Sequence, residues 1–275
     1  MFGNSEFEVK SKNGYNFIEQ KGKKNSTPLV LLHGMFGGLS NFDPLLKRFS
    51  QHPILIPEIP VYDMKRSNLT IPKLSGWVRG FIEAMKVESP ILLGNSMGGH
   101  IALQYALDYP DEVSALILTG SSGLFENHFG STRPRRQDRE YIRQQAALTF
   151  YEDLVNDTII DEIMEVLNSR RKLIKLLKIA RVTHDHNLED ELGNIIMPTL
   201  LVWGKNDVIT PPRVAETFRD KIPNAVLRWI DRCGHAPMME RPDQFVDILH
   251  EFLTDFEKKR VNKNGFSDYE ENYSH

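Results

Sequence analysis

Short runs of apolar and β-branched residues recur along the chain, and stretches of helical periodicity separate them. The first two runs are joined through Lys12, Asn13 and Gly14, a sequence typical of a hairpin turn. From Pro28 onward the runs are continuous rather than alternating, which is typical of strands buried on both faces of a parallel sheet. Strands are therefore predicted at "FEVKS", "YNFIEQ", "PLVLLHG", "PILIPEI", "SPILLGNS", "VSALILTG", "PTLLVWG" and "AVLRWID".

Helical periodicity fills most of the intervals between these runs. Across residues 74–85 the apolar positions recur at spacings of three and one, which places them on one face of a helix that begins after Pro72. The same pattern returns across residues 245–256, and a further helix is expected to start near Pro211. Strands that alternate with helices in this way predict a doubly wound, mostly parallel sheet with helices on both faces.

The alternation stops after "LILTGSSGL" and resumes only near Met197. The interval contains helical patterns such as "IIDEIMEVLNSRRKLIKLLKIA" and no strand-like run. We therefore predict a core formed by residues 1–124 and 195–257, with a helical cap inserted at residues 125–194. Residues 258–275 are polar and are expected to form a frayed tail.

Composition narrows the class of protein. A length of 275 residues suits one large domain with an insertion, and a formal net charge of −3 gives no electrostatic reason to expect a nucleic-acid partner. The single cysteine, Cys233, excludes an internal disulfide and suits a reducing compartment. The start "MFGNSEFEVK" lacks the apolar core of a signal peptide, and no apolar run has the length of a membrane helix. We expect a soluble, cytoplasmic protein that acts on a small molecule and binds neither nucleic acid nor a membrane. The sequence does not indicate its oligomeric state.

One serine lies in a tight corner between a predicted strand and a predicted helix. Residues 94–98, "GNSMG", fit the pattern G-x-S-x-G, in which a sharp turn projects the serine hydroxyl above the carboxyl ends of the strands. Such a turn strains its central residue, so the positions two residues away must be small. The helix that follows begins with free N–H groups that favour a developing anion. The pattern predicts that Ser96 is a nucleophile.

A serine nucleophile needs a base and an acid that orients the base. Asp207 follows the predicted strand "PTLLVWG", and His235 lies in the loop after "AVLRWID". The chain order Ser96, Asp207, His235 is the order expected when a triad is built on a sheet of this kind. We predict that these three residues form a catalytic triad.

Backbone N–H groups near the serine are candidates for an oxyanion hole. The N–H of Met97 follows the nucleophile directly, and "LLHGMFGG" supplies a loop whose best second donor is the N–H of Met35. His33 in that loop is expected to hold the loop in place rather than to react.

Other polar residues are given no chemical role by the sequence. His184 and His186 are two residues apart but have no third ligand at convincing spacing, so a metal is not expected. The basic run "RPRRQDREYIR" lies within the predicted cap. Most such runs are solvated helix faces, although one of its arginines could contact an anionic substrate; the candidates are Arg133, Arg135, Arg136 and Arg139.

Four motifs stand in one order along the chain, and together they resemble the α/β-hydrolase superfamily from about Glu6 to Phe256. They are His-Gly with Gly-Gly at 33–38, Gly-Asn-Ser-Met-Gly-Gly at 94–99, Trp-Gly-x-x-Asp at 203–207 and Gly-His-x-Pro-x-x-Glu-x-Pro at 234–242. The resemblance implies the α/β-hydrolase fold with an inserted helical cap, and a serine hydrolase that needs no cofactor.

The turn around Ser96, which we call the elbow, has the sequence Asn-Ser-Met-Gly-Gly. It is similar to the corresponding turn of the meta-cleavage-product hydrolases, which split a C–C bond. That resemblance implies a substrate contact at Asn95. Two departures count against the assignment. Ala236 follows the histidine where that family has a bulky aromatic residue, and Leu167 lies near the position of its carboxylate-binding arginine, with Arg170 and Arg171 one turn later.

The favoured function is hydrolysis of small esters, lactones or related acyl substrates. We expect Ile163 and Leu167 to line one wall of the pocket, and Met35, Phe36 and Met97 the other. C–C bond hydrolysis is the alternative enzymatic function, and a ligand receptor of this fold with little turnover is the third hypothesis. Perhydrolysis and acyl transfer also stay open. After the fourth strand the chain has "PEIPVYDM" where many relatives have Asp-x-Pro-Gly-x-Gly, and Glu58 there is not an evident catalytic acid.

Overall fold

The structure, a computed structural model, describes residues 5–127 and 137–271, and side chains as far as residue 262. All of the predicted strands form within these residues, and most of the strands coincide with a buried apolar run of the sequence. Their bounds are β1 Val9–Lys12, β2 Tyr15–Gln20, β3 Leu29–Leu32, β4 Ile54–Pro57, β5 Ile91–Asn95, β6 Ala115–Thr119, β7 Thr199–Gly204 and β8 Ala225–Ile230.

The strands form one eight-stranded sheet in the order β1-β2-β4-β3-β5-β6-β7-β8 among the described residues. Strands β1 and β2 form the predicted hairpin, and its turn residues Asn13 and Gly14 both have positive φ, 52° and 81°. Strand β2 pairs antiparallel with β4, and the strands from β4 to β8 are parallel. The carboxyl ends of these parallel strands therefore meet at one edge of the sheet, where a doubly wound fold places its ligands.

Helices cover both faces of the sheet. Their bounds are α1 Asp43–Leu46, α2 Ile71–Met85, α3 Met97–Asp108, α4 Arg139–Ala147, α5 Asp157–Asn168, α6 Arg170–Asp185, α7 Pro212–Lys221, α8 Pro237–Glu240 and α9 Pro242–Glu271. Alternate residues of each central strand enter two different cores. Leu92 and Leu116 pack on the side of α2, α3 and α7, whereas Leu93 and Ile117 pack on the side of α1 and α9. Burial on both faces explains why the runs in the sequence are continuous.

The last helix differs from the prediction of a frayed tail. Helix α9 continues to Glu271, well past Lys258. Arg260 donates a hydrogen bond to the backbone carbonyl of Asn25 and pairs with Glu257, and Lys259 pairs with Asp255. These contacts give the polar side chains partners on the helix surface. The polarity of the segment alone does not predict such partners.

The interval between β6 and β7 contains helices α4, α5 and α6 and no strand in its described residues, 120–127 and 137–198. We call residues 139–185 the helical insertion. No helix in the described part of the chain is long and apolar enough to cross a membrane.

Candidate active site

A cavity of about 810 Å³ lies between the sheet and the helical insertion. One side is formed by residues that follow the carboxyl ends of parallel strands: Gly34, Ser96, Glu126, Ile209 and His235. The other side is formed by residues of the insertion, among them Ile163 and Leu167 as predicted. Its size is that of pockets that enclose a small organic ligand.

Ser96 lies at the predicted turn between β5 and α3 with φ 55° and ψ −121°. This conformation is rare for a residue with a side chain and costs roughly 1–3 kcal/mol, so the surrounding structure must hold it. Its N–H donates to the carbonyl of Thr119 at 3.2 Å, and its carbonyl accepts from the N–H of Ser122 at 3.1 Å. These two hydrogen bonds hold the backbone of Ser96 against the end of β6, and Ser96 borders the cavity.

The glycines of the elbow permit backbone contacts that a side chain would block. A Cβ on Gly98 would lie 2.0 Å from the carbonyl oxygen of Leu32, and a Cβ on Gly94 would lie 2.4 Å from the carbonyl oxygen of Gly98. Both distances are far inside van der Waals contact. Small residues are therefore needed two positions before and after Ser96, in agreement with the prediction.

His235 borders the cavity and forms a hydrogen bond with Asp207 behind it. His235 Nδ1 is 2.9 Å from Asp207 Oδ2, and both side chains are buried. The other carboxylate oxygen, Oδ1, accepts the N–H groups of Ile209 at 2.8 Å and Thr210 at 3.0 Å. The Thr210 hydroxyl donates to Oδ2 at 2.8 Å. Four donors hold the acid, and only one of them, His235, could be predicted from the sequence.

The pKa of His235 is higher than the ordinary value of about 6.5. Burial on its own lowers this pKa, but the charge of Asp207 and its hydrogen bond raise it by more, and Glu126 and Glu240 contribute in the same direction. The site therefore favours the imidazolium form that a general base acquires during reaction.

Glu240 connects the histidine loop to the helical insertion. Its Oε1 accepts the N–H of Gly234 at 2.8 Å, and its Oε2 accepts the N–H of Tyr151 at 2.7 Å. The N–H of His235 donates to the carbonyl of Thr149 at 2.8 Å. These bonds fix the backbone on both sides of the imidazole. The motif at 234–242 contains Glu240, but its spacing gave no indication of this role.

The loop after β3 lies against the serine. A Cβ on Gly34 would be 3.2 Å from that of Ser96, so the backbone leading to Met35 borders the nucleophile. Met97 is the first residue of α3, and its N–H has no acceptor within the helix. His33 holds the loop, because Nδ1 donates to the carbonyl of Gly34 and Nε2 accepts the N–H of Ile59. Burial lowers the pKa of His33, which matches this neutral form.

The predicted apolar walls are correct except for one residue. Met35 and Phe36 border the cavity, and Phe36 is 45% exposed. The prediction that the Met97 side chain lines the wall is wrong, because that side chain is fully buried in the core under the sheet. Met97 is the first helical residue after the strained turn, and its side chain is directed into that core.

Asn95 borders the cavity, but its amide has partners within the protein. Nδ2 donates to the carbonyl of Thr119 at 3.0 Å and to that of His235 at 3.1 Å. Asn95 therefore ties the strand that carries the nucleophile to the histidine loop, and only its Oδ1 is left for a ligand. A substrate contact at Asn95 stays a prediction.

Of the cationic residues singled out in the sequence, those that the structure describes do not border the cavity. Arg170 and Arg171 are exposed on α6, and Arg139 pairs with Asp157 and Asp161. Glu58 accepts a hydrogen bond from Asn16 outside the cavity. Arg133, Arg135 and Arg136 lie outside the described residues. Among the described residues that border the cavity there is no lysine or arginine, whereas Glu126 and Glu162 both border it.

The two histidines near the end of α6 have separate environments. His184 borders the cavity, and His186 Nδ1 is 2.9 Å from Nε2 of His100 on α3. Burial, with the neighbouring His186, lowers the pKa of His100 to about 3, so His100 is neutral. Residues 5–127 and 137–262 contain no group of three or more side chains that could hold a metal ion.

The sheet is mostly parallel, with a strained serine after β5 and a hydrogen-bonded acid–histidine pair after β7 and β8. This arrangement is typical of one class of proteins, the α/β hydrolases. Residues 29–248 match the Alpha/beta hydrolase family, so the chain belongs to that family and is a hydrolase.

Individual relatives agree with this assignment. The chain is 38% identical to MGS-MChE2, an alpha/beta hydrolase enzyme from a sediment metagenome of the Mar Chica lagoon, Morocco, with a TM-score of 0.74, covering 90% of this chain and 98% of that one. It is 27% identical to human monoacylglycerol lipase ABHD6 over 90% of this chain and 81% of the relative. The meta-cleavage product hydrolase CumD from Pseudomonas fluorescens IP01 is 20% identical with a TM-score of 0.73, over 88% and 95% of the two chains, and shares the fold.

Proposed function

We propose that the protein hydrolyses small, uncharged carboxylic esters through a Ser96–His235–Asp207 triad. The observation that carries the proposal is the 2.9 Å hydrogen bond between Asp207 and His235, together with the position of His235 at the same cavity as the strained Ser96. A serine and an oriented imidazole that border one cavity are the parts required for covalent catalysis.

Acylation begins when Ser96 attacks the ester carbonyl and His235 accepts the hydroxyl proton. The carbonyl oxygen becomes an oxyanion, and the N–H groups of Met97 and Met35 stabilise it. His235 then gives the proton to the alkoxide that leaves, and the acyl group stays on Ser96. Asp207 keeps the Nδ1 proton in place throughout, so that Nε2 is free to accept.

Deacylation repeats these steps with water in place of the serine hydroxyl. His235 takes a proton from water, the hydroxide attacks the acyl carbon, and the acid is released as Ser96 recovers its proton. These steps use protein groups and water. In this proposal residues 125–194 act as a cap over a core of residues 1–124 and 195–257, and the cap limits the substrate to small molecules.

The charge of the cavity supports an uncharged substrate. Glu126 and Glu162 border it, and none of its described residues is a lysine or an arginine. The walls contributed by Met35, Ile163 and Leu167 are apolar and suit a short acyl chain. Among these described residues an anionic diketo acid would meet two carboxylates and no lysine or arginine. Human ABHD6, named a monoacylglycerol lipase, is a relative that acts on an uncharged ester.

The experiment is a comparison of kcat/KM for p-nitrophenyl butyrate and for a 2-hydroxy-6-oxo-dienoate, with Ser96→Ala as the blank. We expect Ser96-dependent hydrolysis of the butyrate and weaker or absent cleavage of the dienoate. A preference of about 100-fold or more for the dienoate would overturn the ester assignment in favour of C–C bond hydrolysis.

The proposed base also predicts a pH dependence. Only neutral His235 accepts a proton, so kcat/KM should rise with pH through the pKa of the free enzyme. Because Asp207 raises that pKa, the inflection should lie above the ordinary value of about 6.5. The measurement is kcat/KM for p-nitrophenyl butyrate between about pH 5 and 9. A flat profile with chemistry shown to be rate-limiting would contradict a histidine base, and an inflection below the ordinary value would contradict the effect of Asp207.

A further inference from the structure

Glu126 is an acidic side chain in the cavity that the proposed mechanism does not use. It borders the cavity together with Ser96 and His235. Its Oε1 is shielded from solvent, and no donor among the described residues reaches it. Buried acceptors are normally satisfied, and leaving one without a donor is costly. Oε1 is closed to solvent in this side-chain conformation, and rotation about the soft terminal torsion of the side chain can turn it towards a ligand that supplies a donor.

The segment that carries Glu126 is anchored on both sides. The N–H of Asn127 donates to the carbonyl of Ile209 at 2.8 Å, and its Nδ2 donates to the carbonyl of Val208 at 2.7 Å. On the other side, the guanidinium of Arg213 lies 4.2 Å from the centre of the Phe125 ring. Glu126 is thus held between two fixed neighbours, beside the loop that carries Asp207. A side chain held in this way can select among ligands.

Glu126 borders the cavity together with His235, which must lie near the alcohol part of an ester. His235 has to protonate the departing alkoxide, so the alcohol oxygen must come within hydrogen-bond reach of its imidazole. The charge of Glu126 contributes to the raised pKa of His235, which places the carboxylate within electrostatic reach of that ring. The apolar residues Ile163 and Leu167 belong to the helical insertion, where an acyl chain can pack.

We propose that Glu126 selects the alcohol part of the substrate, by accepting a hydrogen bond from a hydroxyl or ammonium group two carbons from the ester oxygen. This inference rests on the proposed function, since it assigns the leaving group of that same reaction. The substrates are then esters of hydroxy- or amino-alcohols with a short acyl chain. Esters with an anionic alcohol part are rejected, because their charge would face a carboxylate.

The test compares two esters of the same shape, 2-hydroxyethyl butyrate and propyl butyrate, which differ by a hydroxyl in place of a methyl group. We expect the wild type to prefer the hydroxyethyl ester. In Glu126→Leu the ratio of the two kcat/KM values should fall by about 10-fold, the size of a hydrogen bond to a charged group. Glu126→Gln keeps the shape of the side chain and an acceptor oxygen. It should keep part of the preference and accept carboxymethyl butyrate better than the wild type does.

Glu216→Gln is the matched control. Glu216 is exposed on α7 and does not border the cavity, so removing its charge should leave the ratio unchanged. A ratio that is the same in the wild type, Glu126→Leu and Glu126→Gln would overturn the inference. Hydrolysis of p-nitrophenyl butyrate that still depends on Ser96 would then show that the proposed function stands without it. Absence of all Ser96-dependent hydrolysis in the wild type would instead reject the proposed function.

Discussion

Ser96→Ala should abolish covalent labelling by a fluorophosphonate and lower kcat for p-nitrophenyl butyrate by about 10⁴-fold or more. The reason is that in the proposed mechanism the hydroxyl of Ser96 is the atom that attacks, and Ser96 borders the same cavity as His235. Alanine keeps the backbone conformation and removes the nucleophile alone. The measurements are mass spectrometry of the labelled protein and steady-state kinetics.

Ser40→Ala provides the comparison, because Ser40 also borders the cavity but does not lie at the elbow. Labelling should persist in that variant. Equal thermal unfolding midpoints of Ser96→Ala and the wild type would show that the loss of activity is not a loss of fold. A fluorophosphonate adduct that still forms in Ser96→Ala would exclude Ser96 as the nucleophile.

Asp207→Asn should lower kcat by about 10²- to 10⁴-fold while the protein stays folded. Oδ1 of Asp207 faces the N–H groups of Ile209 and Thr210, which can only donate. In the asparagine variant the amide oxygen must therefore take the position of Oδ1, and the amide nitrogen takes that of Oδ2. The nitrogen then donates to Nδ1 of His235, which moves the imidazole proton to Nε2. An imidazole protonated at Nε2 cannot accept the proton of Ser96. Steady-state kinetics with the same ester measure the effect.

Asp231→Asn is the control for this substitution. Asp231 is exposed directly after β8 and pairs with Lys205, so the same chemical change there should leave kcat unaltered. Full activity in Asp207→Asn would assign the acid to another residue. Glu126 would be the candidate, since it borders the cavity near His235, whereas Glu58 is bonded to Asn16 away from it.

The strands and the elbow could be predicted from the sequence because their causes are local. A strand buried on both faces must be apolar at every position, as Leu92 and Leu93 are, each in a different core. The glycines around Ser96 are required by backbone contacts within a few residues or with the neighbouring strand. Asp207 and His235 could be placed because both follow strands whose carboxyl ends share one edge of the sheet.

The remaining features depend on contacts between distant parts of the chain. Glu240 accepts the N–H of Tyr151, 89 residues away, and no spacing in the sequence indicates that pair. The side-chain amide of Asn95 donates a hydrogen bond to the carbonyl of His235, 140 residues away. The side chain of Met97 points into the core because of the orientation that α3 takes after the turn at Ser96. Each of these is fixed by the packed fold rather than by a local pattern.

The contacts between the helical insertion and the histidine loop have a consequence for how such enzymes diverge. Thr149 contributes its carbonyl and Tyr151 its N–H, so the insertion supports His235 and Glu240 through main-chain hydrogen bonds. Descendants of this chain can therefore replace side chains of the insertion, and acquire new substrates, without losing these bonds to the base and its glutamate. What they cannot change freely is the path of the backbone at residues 149–151. When insertions are exchanged between relatives in the laboratory, the backbone path at residues 149–151 and Glu240 should be kept together.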